Sequence, residues 1–459
     1  MRILRSSRRN GQLLATLSLA FPLILSHLAQ MATQLTDAIM LGWYGVAELA
    51  AGVLGTMMFH VIFLVGSGFA MAVMPLAATA EGARDIAQVR RVVRMGFWIS
   101  MIFGIAALIP MLYSETILLG LGQQPEIAEL ANWYLVIAMW GLFPALTIML
   151  LKSFFLAVIR PRIVLWSTGI GAVSNALADY ALIFGHWGFP ELGIEGAAIA
   201  SVSTQFFTLL IMVVYIRRDA IMRSYRLFTR IWRFDPSGFR SVFMLGWPIG
   251  ATLVAETGMF GATALLMGWI DTETLAAHGI ALNVAAFFFM IYLGFANAST
   301  AQLGRAVGAK DIDAFKGIAE ATVIWTLVSI VLTVTILVTI PETLVLAFLE
   351  AGTDPESRIV RIGITLLYVG AVFQAWDALQ VVGLGLLRGI SDTRGPMVIA
   401  AISYWGIGFP MCYILGFVFE FGGPGVWWGL TIGLGVAAIL FFARFRRKTR
   451  DLEFSIESG

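Results

Sequence analysis

A shift of 226 positions, the interval from Pro22 to Pro248, lays this chain on itself. Phe21-Pro22 falls on Trp247-Pro248, Gly42-Trp43 on Gly268-Trp269, and Leu49-Ala50-Ala51 on Leu275-Ala276-Ala277. The register then holds without a gap. Gly68-Phe69-Ala70 meets Gly294-Phe295-Ala296, and Gly82-Ala83-Arg84-Asp85-Ile86 meets Gly308-Ala309-Lys310-Asp311-Ile312. Such self-similarity marks a duplicated structural unit. The two copies share a scaffold and differ in where they place charge: Glu256 falls on Gln30, and Asp37 falls on Thr263.

The repeated unit is built for a bilayer. Of 459 residues, 59% are hydrophobic and 13% charged, and the mean hydropathy is +0.86. This is the composition of an integral membrane bundle, not of a soluble domain. The run Gly246–Trp269 is apolar, free of Lys and Arg, entered through Pro248, and interrupted near its middle by Glu256. Hydropathy predicts twelve such spans, each long enough to cross a hydrocarbon core of about 30 Å. They fall near 14–41, 46–76, 92–114, 128–156, 162–184, 194–216, 241–269, 274–302, 317–340, 358–387, 396–419 and 426–443. The expected fold is therefore an all-α polytopic membrane protein. The basic N-terminus leads into an apolar run too long for a signal peptide and lacking a cleavage site, so it reads as a retained first helix. The single cysteine, Cys412, excludes an intrachain disulfide and any multi-cysteine metal site.

Charge placement gives the orientation. With the N-terminus inside, of the 30 Lys and Arg residues only Arg358 and Arg361 lie on the far side. By the positive-inside rule both termini are cytoplasmic and the number of crossings is even. Six spans per copy means that both copies enter the membrane the same way up, as parallel repeats related by an axis along the membrane normal. The expected organisation is an N-terminal six-helix lobe over 1–217, an Arg-rich cytoplasmic linker over 218–239, and a C-terminal six-helix lobe over 240–459. The linker's spacing suits a helix lying on the inner leaflet. Its arginines are explained by orientation and anionic membrane lipid, not by nucleic acid.

Four acids lie well inside the spans: Asp37, Asp179, Glu256 and Asp377. No Lys or Arg is expected at comparable depth. A charged group at the centre of a bilayer costs roughly 2.5 to 3.5 kcal/mol on insertion scales and is a functional candidate by default. Unpaired carboxylates in low dielectric take up protons or hold a cation. Satisfied structural acids, hydrogen-bonded to neighbouring helices, are the alternative for any one of them. Asp37 in the first span and Asp179 in the fifth share the outer leaflet. Asn175 precedes Asp179 by four residues, on the same helix face, and Gln34 and Gln30 lie one and two turns from Asp37. Oxygen ligands at matching depth suit a proton or a hard cation such as Na⁺. In the second half Glu256 and Asp377 both fall mid-span, and Trp376 adjoins the aspartate. An aromatic face near carboxylates favours an organic cation, although for Trp376 alone lipid contact or packing is the stronger reading.

Other polar positions fit either cavity lining or helix-to-helix hydrogen bonding: Ser201, Thr204, Asn283 and Asn297. His27, His60 and His278 have no partner one turn away and read as core residues. Pro22 and Pro248, at equivalent places, each remove a backbone hydrogen bond early in a helix, as expected of hinges in moving transporter helices.

Taken together, these features resemble the multidrug and toxic compound extrusion family of transporters, and its bacterial NorM-type branch. The resemblance rests on the twelve spans in two parallel halves, Pro22 followed by Asp37, Glu256, Asp377, and the stretch Leu387-Arg388-Gly389-Ile390-Ser391-Asp392-Thr393-Arg394-Gly395-Pro396. That stretch is similar to the family's LRG-x-GDTR-x-P segment, with Ser391 where a glycine is usual. The resemblance covers essentially the whole chain. It implies a V-shaped bundle with a central cavity, acting as an antiporter in the bacterial plasma membrane. An inward Na⁺ or proton gradient would drive small amphipathic, often cationic, compounds outward. It further implies no cofactor, no enzymatic activity and a monomeric state. Asp37, Asn175 and Asp179 look like a first-lobe cation cluster, and Glu256 and Asp377 like the second-lobe site, either of which would hold Na⁺.

Two rivals stand beside this reading. A flippase for a lipid-linked precursor needs a basic cavity for pyrophosphate, and none is expected here. An intramembrane aspartyl protease needs a Tyr-Asp pair and a Gly-x-Gly-Asp segment, and the sequence contains neither.

Overall fold

The computed structural model describes residues 2–349, 354 and 356–457. Met1, Ser458 and Gly459, the ends of the two expected lobes, lie outside the described residues, as do the side chains of Arg2, Arg5, Arg8 and Arg9. The chain is helical at each predicted span: α1 (Arg2–Tyr44), α2 (Val46–Gly82), α3 (Ile86–Leu112), α4 (Pro125–Ala157), α5 (Pro161–Ile183), α6 (Gly193–Arg218), α7 (Pro236–Ile270), α8 (Thr272–Gly308), α9 (Ile312–Thr339), α10 (Arg358–Gly389), α11 (Arg394–Val418) and α12 (Gly422–Glu457). Among the described residues, eleven helices are long and apolar enough to cross a membrane by length and composition. The twelfth, α5, has 23 residues and so spans about 34 Å, but it is diluted by Ser167, Thr168, Ser174, Asn175 and Asp179.

The helices form two compact units. One is Leu25–Gly250; the other joins the chain before Leu25 to the chain from Ala251 onward. Packing therefore divides the chain differently from the sequence lobes: the linker and the first turns of α7 belong with α2 to α6, and the first turns of α1 belong with α8 to α12. The two exchange points, after Ile24 and after Gly250, are themselves 226 positions apart. Each lies two residues beyond the proline inside its helix, Pro22 in α1 and Pro248 in α7.

The duplication is visible in the packing of each unit. In the first, a Cβ added to Gly68 of α2 would sit 2.3 Å from the Gly250 nitrogen and 2.7 Å from the Gly246 carbonyl oxygen. In the second, the equivalent Gly294 of α8 faces Ile24 and the Ala20 carbonyl, residues equivalent to Gly250 and Gly246. Small residues let helix backbones approach closely, which is how helices associate where hydrophobic burial gives no net drive. The turn after α2 repeats after α8: Arg84 and Lys310 adopt φ of 60° and 54°, and Asp85 and Asp311 each cap the next helix, accepting from Gln88 N and Ala314 N at 2.9 Å. The first unit's core is alanine-rich, with Ala51, Ala128, Ala131, Ala138, Ala197 and Ala198 around Leu135 and Ile183. In the second, buried Trp427 of α12 packs edge-on against Phe373 of α10, with ring centroids 5.2 Å apart.

The linker is not the long surface helix expected. Between the end of α6 at Arg218 and the start of α7 at Pro236, only Ala220–Ser224 is helical, capped by Asp219; Arg226 and Arg230 then take φ of 50° and 55°, which breaks the helix. The segment folds onto α3, where Trp98 Nε1 donates to the Ile231 carbonyl at 3.0 Å and Arg91 pairs with Asp235. In the second unit Arg358 ties α10 to the α7–α8 turn, donating to Asp271 at 2.7 Å and Glu273 at 2.6 Å. The Thr274 backbone N–H and this guanidinium hold the Asp271 carboxyl below its ordinary value.

The Leu387–Pro396 stretch ends α10 on a left-handed residue, Ser391, with φ of 59°. The Asp392 N–H returns to the Leu387 carbonyl at 3.0 Å, the arrangement in which glycine is favoured. Ser391→Gly is therefore expected to raise stability by about 1 kcal/mol, read as a higher thermal midpoint of the purified protein.

Candidate carboxylate sites

The four membrane-embedded acids gather into one cluster in each unit. In the first, α1 carries Asp37 and α5 carries Asn175 and Asp179 on one face, four residues apart. Asn175 Nδ2 donates at 2.6 Å to Asp37 Oδ1 and at 2.6 Å to Asp179 Oδ2. Asn175 is 2% exposed and Asp179 is fully buried. One amide thus spends both protons on two carboxylates. Ionised carboxylates only accept, and Asp179 Oδ1 remains buried without a hydrogen-bond partner. The cluster is short of positive charge and of donors, which is a description of a site for a proton or a cation.

Tyr134 of α4 completes this cluster and was not anticipated from sequence. Its hydroxyl accepts from Thr56 Oγ1 at 3.4 Å, lies beside Ser201, and is close enough to interact electrostatically with Asp37 and Asp179. Gly55 makes room for the ring; a Cβ there would lie 2.7 Å from it. Ser201 is thereby brought to the cluster. Thr204 instead packs its methyl near Gly171, one turn before Asn175 on α5. Gln30 and Gln34 are exposed on α1.

In the second unit Glu256 on α7 and Asp377 on α10 are both buried and act on each other electrostatically. Glu256 Oε1 and Asp377 Oδ1 have no hydrogen-bond partner. The link between their helices is α11, which runs as a π-helix over Ile402–Gly408, a distortion frequent at functional sites. From it Trp405 Nε1 donates to the Ala255 carbonyl at 3.0 Å, next to Glu256. The buried Tyr404 hydroxyl accepts from Gln380, one turn along α10 from Asp377. Neither Tyr404 nor Gln380 stood out in the sequence, because single polar residues in apolar spans carry no pattern.

Three sequence expectations need correction. Arg388 is not a loop residue: it is 6% exposed in the last turn of α10. Lys152 lies within α4, inside the predicted span 128–156. Trp376 does not face the carboxylates; its ring lies over Gly435 of α12, in a groove shared with Leu379, Phe442 and Arg446. Asn283 is exposed, its amide donating to the Gly279 carbonyl at 2.9 Å. His278 accepts from Trp427 Nε1 at 3.0 Å, as a core histidine does.

Comparison with known proteins places this geometry. The MatE family profile matches residues 22–181 and 248–414, starting at the two equivalent prolines. The chain is 42% identical over 436 residues to a protein of Rhizobium meliloti (strain 1021) named Probable multidrug resistance protein NorM, covering 95% of this chain and 93% of that one. A protein of the same name from Agrobacterium fabrum (strain C58) is 39% identical over 434 residues, covering 94% and 93%. Among solved structures, the eukaryotic MATE transporter AtDTX14 superposes with a TM-score of 0.85 at 20% identity, over 98% of this chain and 99% of that one. A MATE crystal structure in the straight conformation superposes with a TM-score of 0.87 at 19% identity, over 96% and 97%. At those identities the structural likeness establishes the fold alone.

Proposed function

Because the chain belongs to the multidrug and toxic compound extrusion (MATE) family, we propose that its two carboxylate clusters are the coupling and substrate sites of an antiporter. The protein is an integral membrane transporter, not an enzyme, and acts as a secondary active exporter of amphipathic and cationic compounds. The proposal assigns Na⁺ or H⁺ to Glu256 and Asp377, and to Asp37, Asn175 and Asp179. The organic cation competes for the same negative charge.

The observation that carries the reading is the pair of orphaned buried oxygens, Glu256 Oε1 and Asp377 Oδ1, on two different helices of one unit. Two carboxylates acting on each other in a low-dielectric site do not both stay charged without a counter-ion. A site that must be filled by either ion or drug, and not left empty, meets the requirement for exchange. Pro22 and Pro248 are the proposed hinges, since each unit's boundary falls just beyond one of them. Both termini and the Arg-rich linker are assigned to the cytoplasm, on the charge bias of the loops. The reading is tested with purified protein in liposomes, loaded with a cationic dye and given an imposed Na⁺ or proton gradient. Dye movement against its own gradient supports the reading; movement indifferent to both ions removes it.

A further inference from the structure

Two helices of the second unit, α10 and α12, leave an open groove between them with a volume of about 310 Å³. Ala438, Ile439, Phe442 and Arg446 line it from α12, and Trp376 and Leu379 from α10. Within each helix these residues recur three and four apart, so each set occupies one face. Two glycines shape the space. A Cβ added to Gly435 of α12 would lie 3.3 Å from the Trp376 indole, and one added to Gly383 of α10 would lie 3.4 Å from the Phe442 ring. Each ring therefore reaches across to the other helix at a position that carries no side chain.

The groove is apolar except at one end, and that end is cationic. Arg446 is exposed, and among the described residues its guanidinium makes no ion pair or hydrogen bond. Its neighbour Arg444, by contrast, is spent on Asp392, to which it donates at 2.6 and 3.1 Å. Arg447, Lys448 and Arg450 follow on the same helix end. A guanidinium with unused donors presents a planar fork that matches the oxygens of a phosphate. Basic residues clustered at the end of a membrane helix attract anionic lipid.

Length points to the rest of the ligand. Gly435, under the Trp376 indole, and Arg446 are eleven residues apart, about 16 Å along the helix axis. One leaflet of a hydrocarbon core of about 30 Å is about 15 Å deep. The groove thus matches the reach of one acyl chain below its headgroup.

We propose that this groove binds one anionic phospholipid, its phosphate on Arg446 and an acyl chain laid over Phe442, Ile439 and Leu379 as far as Trp376. The basic end of α12 is assigned to the cytoplasm, so the lipid comes from the inner leaflet, where anionic lipids concentrate.

The test counts lipids bound to the purified protein in detergent by native mass spectrometry. Phosphatidylglycerol, phosphatidylcholine and inorganic phosphate are titrated in turn. One saturating phosphatidylglycerol is expected, with weaker phosphatidylcholine and no competition from phosphate at equal concentration. Arg446→Gln is expected to weaken phosphatidylglycerol by about 5-fold, the worth of one basic residue near a lipid surface, and to leave phosphatidylcholine unchanged. Arg447→Gln is expected to change little, because Arg447 points about 100° away around the helix and does not line the groove. Ile439→Trp fills the groove from an exposed position, so it is expected to fold and to lose the bound lipid. Equal binding of the two lipids, or equal losses in Arg446→Gln and Arg447→Gln, overturns the proposal. So does a lipid retained in Ile439→Trp, or displacement by phosphate, which would leave Arg446 an ion site alone. If Ile439→Trp does not fold, the two arginine variants decide the matter by themselves. The measurement involves no ion gradient, so its outcome is independent of the coupling assignment.

Discussion

Glu256→Gln is expected to fold and reach the membrane but to lose gradient-driven export by about 5- to 150-fold, the range that a coupling energy of 1–3 kcal/mol supplies. Glutamine keeps the shape and most of the hydrogen-bonding capacity of the glutamate while removing its charge. Asp377→Asn is expected to act alike, because either change removes one of the two carboxylate charges that act on each other. The double variant is expected to be little worse than either single one, since the two carboxylates work as a unit and their effects do not add. Cationic dyes should suffer more than neutral ones. The check is initial export rate at fixed gradient, normalised to reconstituted protein. If both single variants keep full export while Asp37→Asn abolishes it, coupling lies with the first cluster instead.

The second large effect belongs to Asn175. Its amide is the donor that joins Asp37 to Asp179, at 2.6 Å to each. Asn175→Ala leaves both carboxylates facing one another without it. An unsatisfied buried acceptor costs about 1–3 kcal/mol, and more when charged, so a loss of several kcal/mol is expected across the two. A cation that enters the cluster replaces the missing donor, so the thermal midpoint of this variant should rise with Na⁺ or with acidity more steeply than that of the unaltered protein. Asp37→Asn added to Asn175→Ala restores an amide and removes one charge, and is expected to recover most of the stability. A midpoint unchanged by Asn175→Ala would mean that the amide is not what holds the pair.

Much of this was readable in advance, for reasons that are physical. Acids in apolar spans are conspicuous because the bilayer penalises them, so Asp37, Asp179, Glu256 and Asp377 stood out before any geometry. Helical spacing put Asn175 beside Asp179. The duplication forecast equivalent packing, and Gly68 with Gly294, Arg84 with Lys310, and Asp85 with Asp311 occupy matching places. What escaped notice depends on direction around a helix. Trp376 adjoins Asp377 in sequence, but consecutive helical residues point about 100° apart and do not share a face. Arg388 sits at a helix end, where charge count alone assigns it to a loop and cannot tell an outward from an inward side chain. Tyr134 and Tyr404 are ordinary tyrosines in apolar runs; only the partners Thr56, Ser201 and Gln380 mark them. The short linker helix was overestimated because left-handed Arg226 and Arg230 leave no compositional trace.

The central claim is exchange, and exchange is reciprocal: if the ion gradient moves the dye, the dye gradient must move the ion. The most direct measurement therefore imposes only a dye gradient on sealed proteoliposomes and follows Na⁺ with a tracer and protons with a trapped pH indicator. The account predicts that one of the two ions moves opposite to the dye, against its own gradient, and that Glu256→Gln abolishes this movement. Dye that equilibrates while neither ion moves would contradict it.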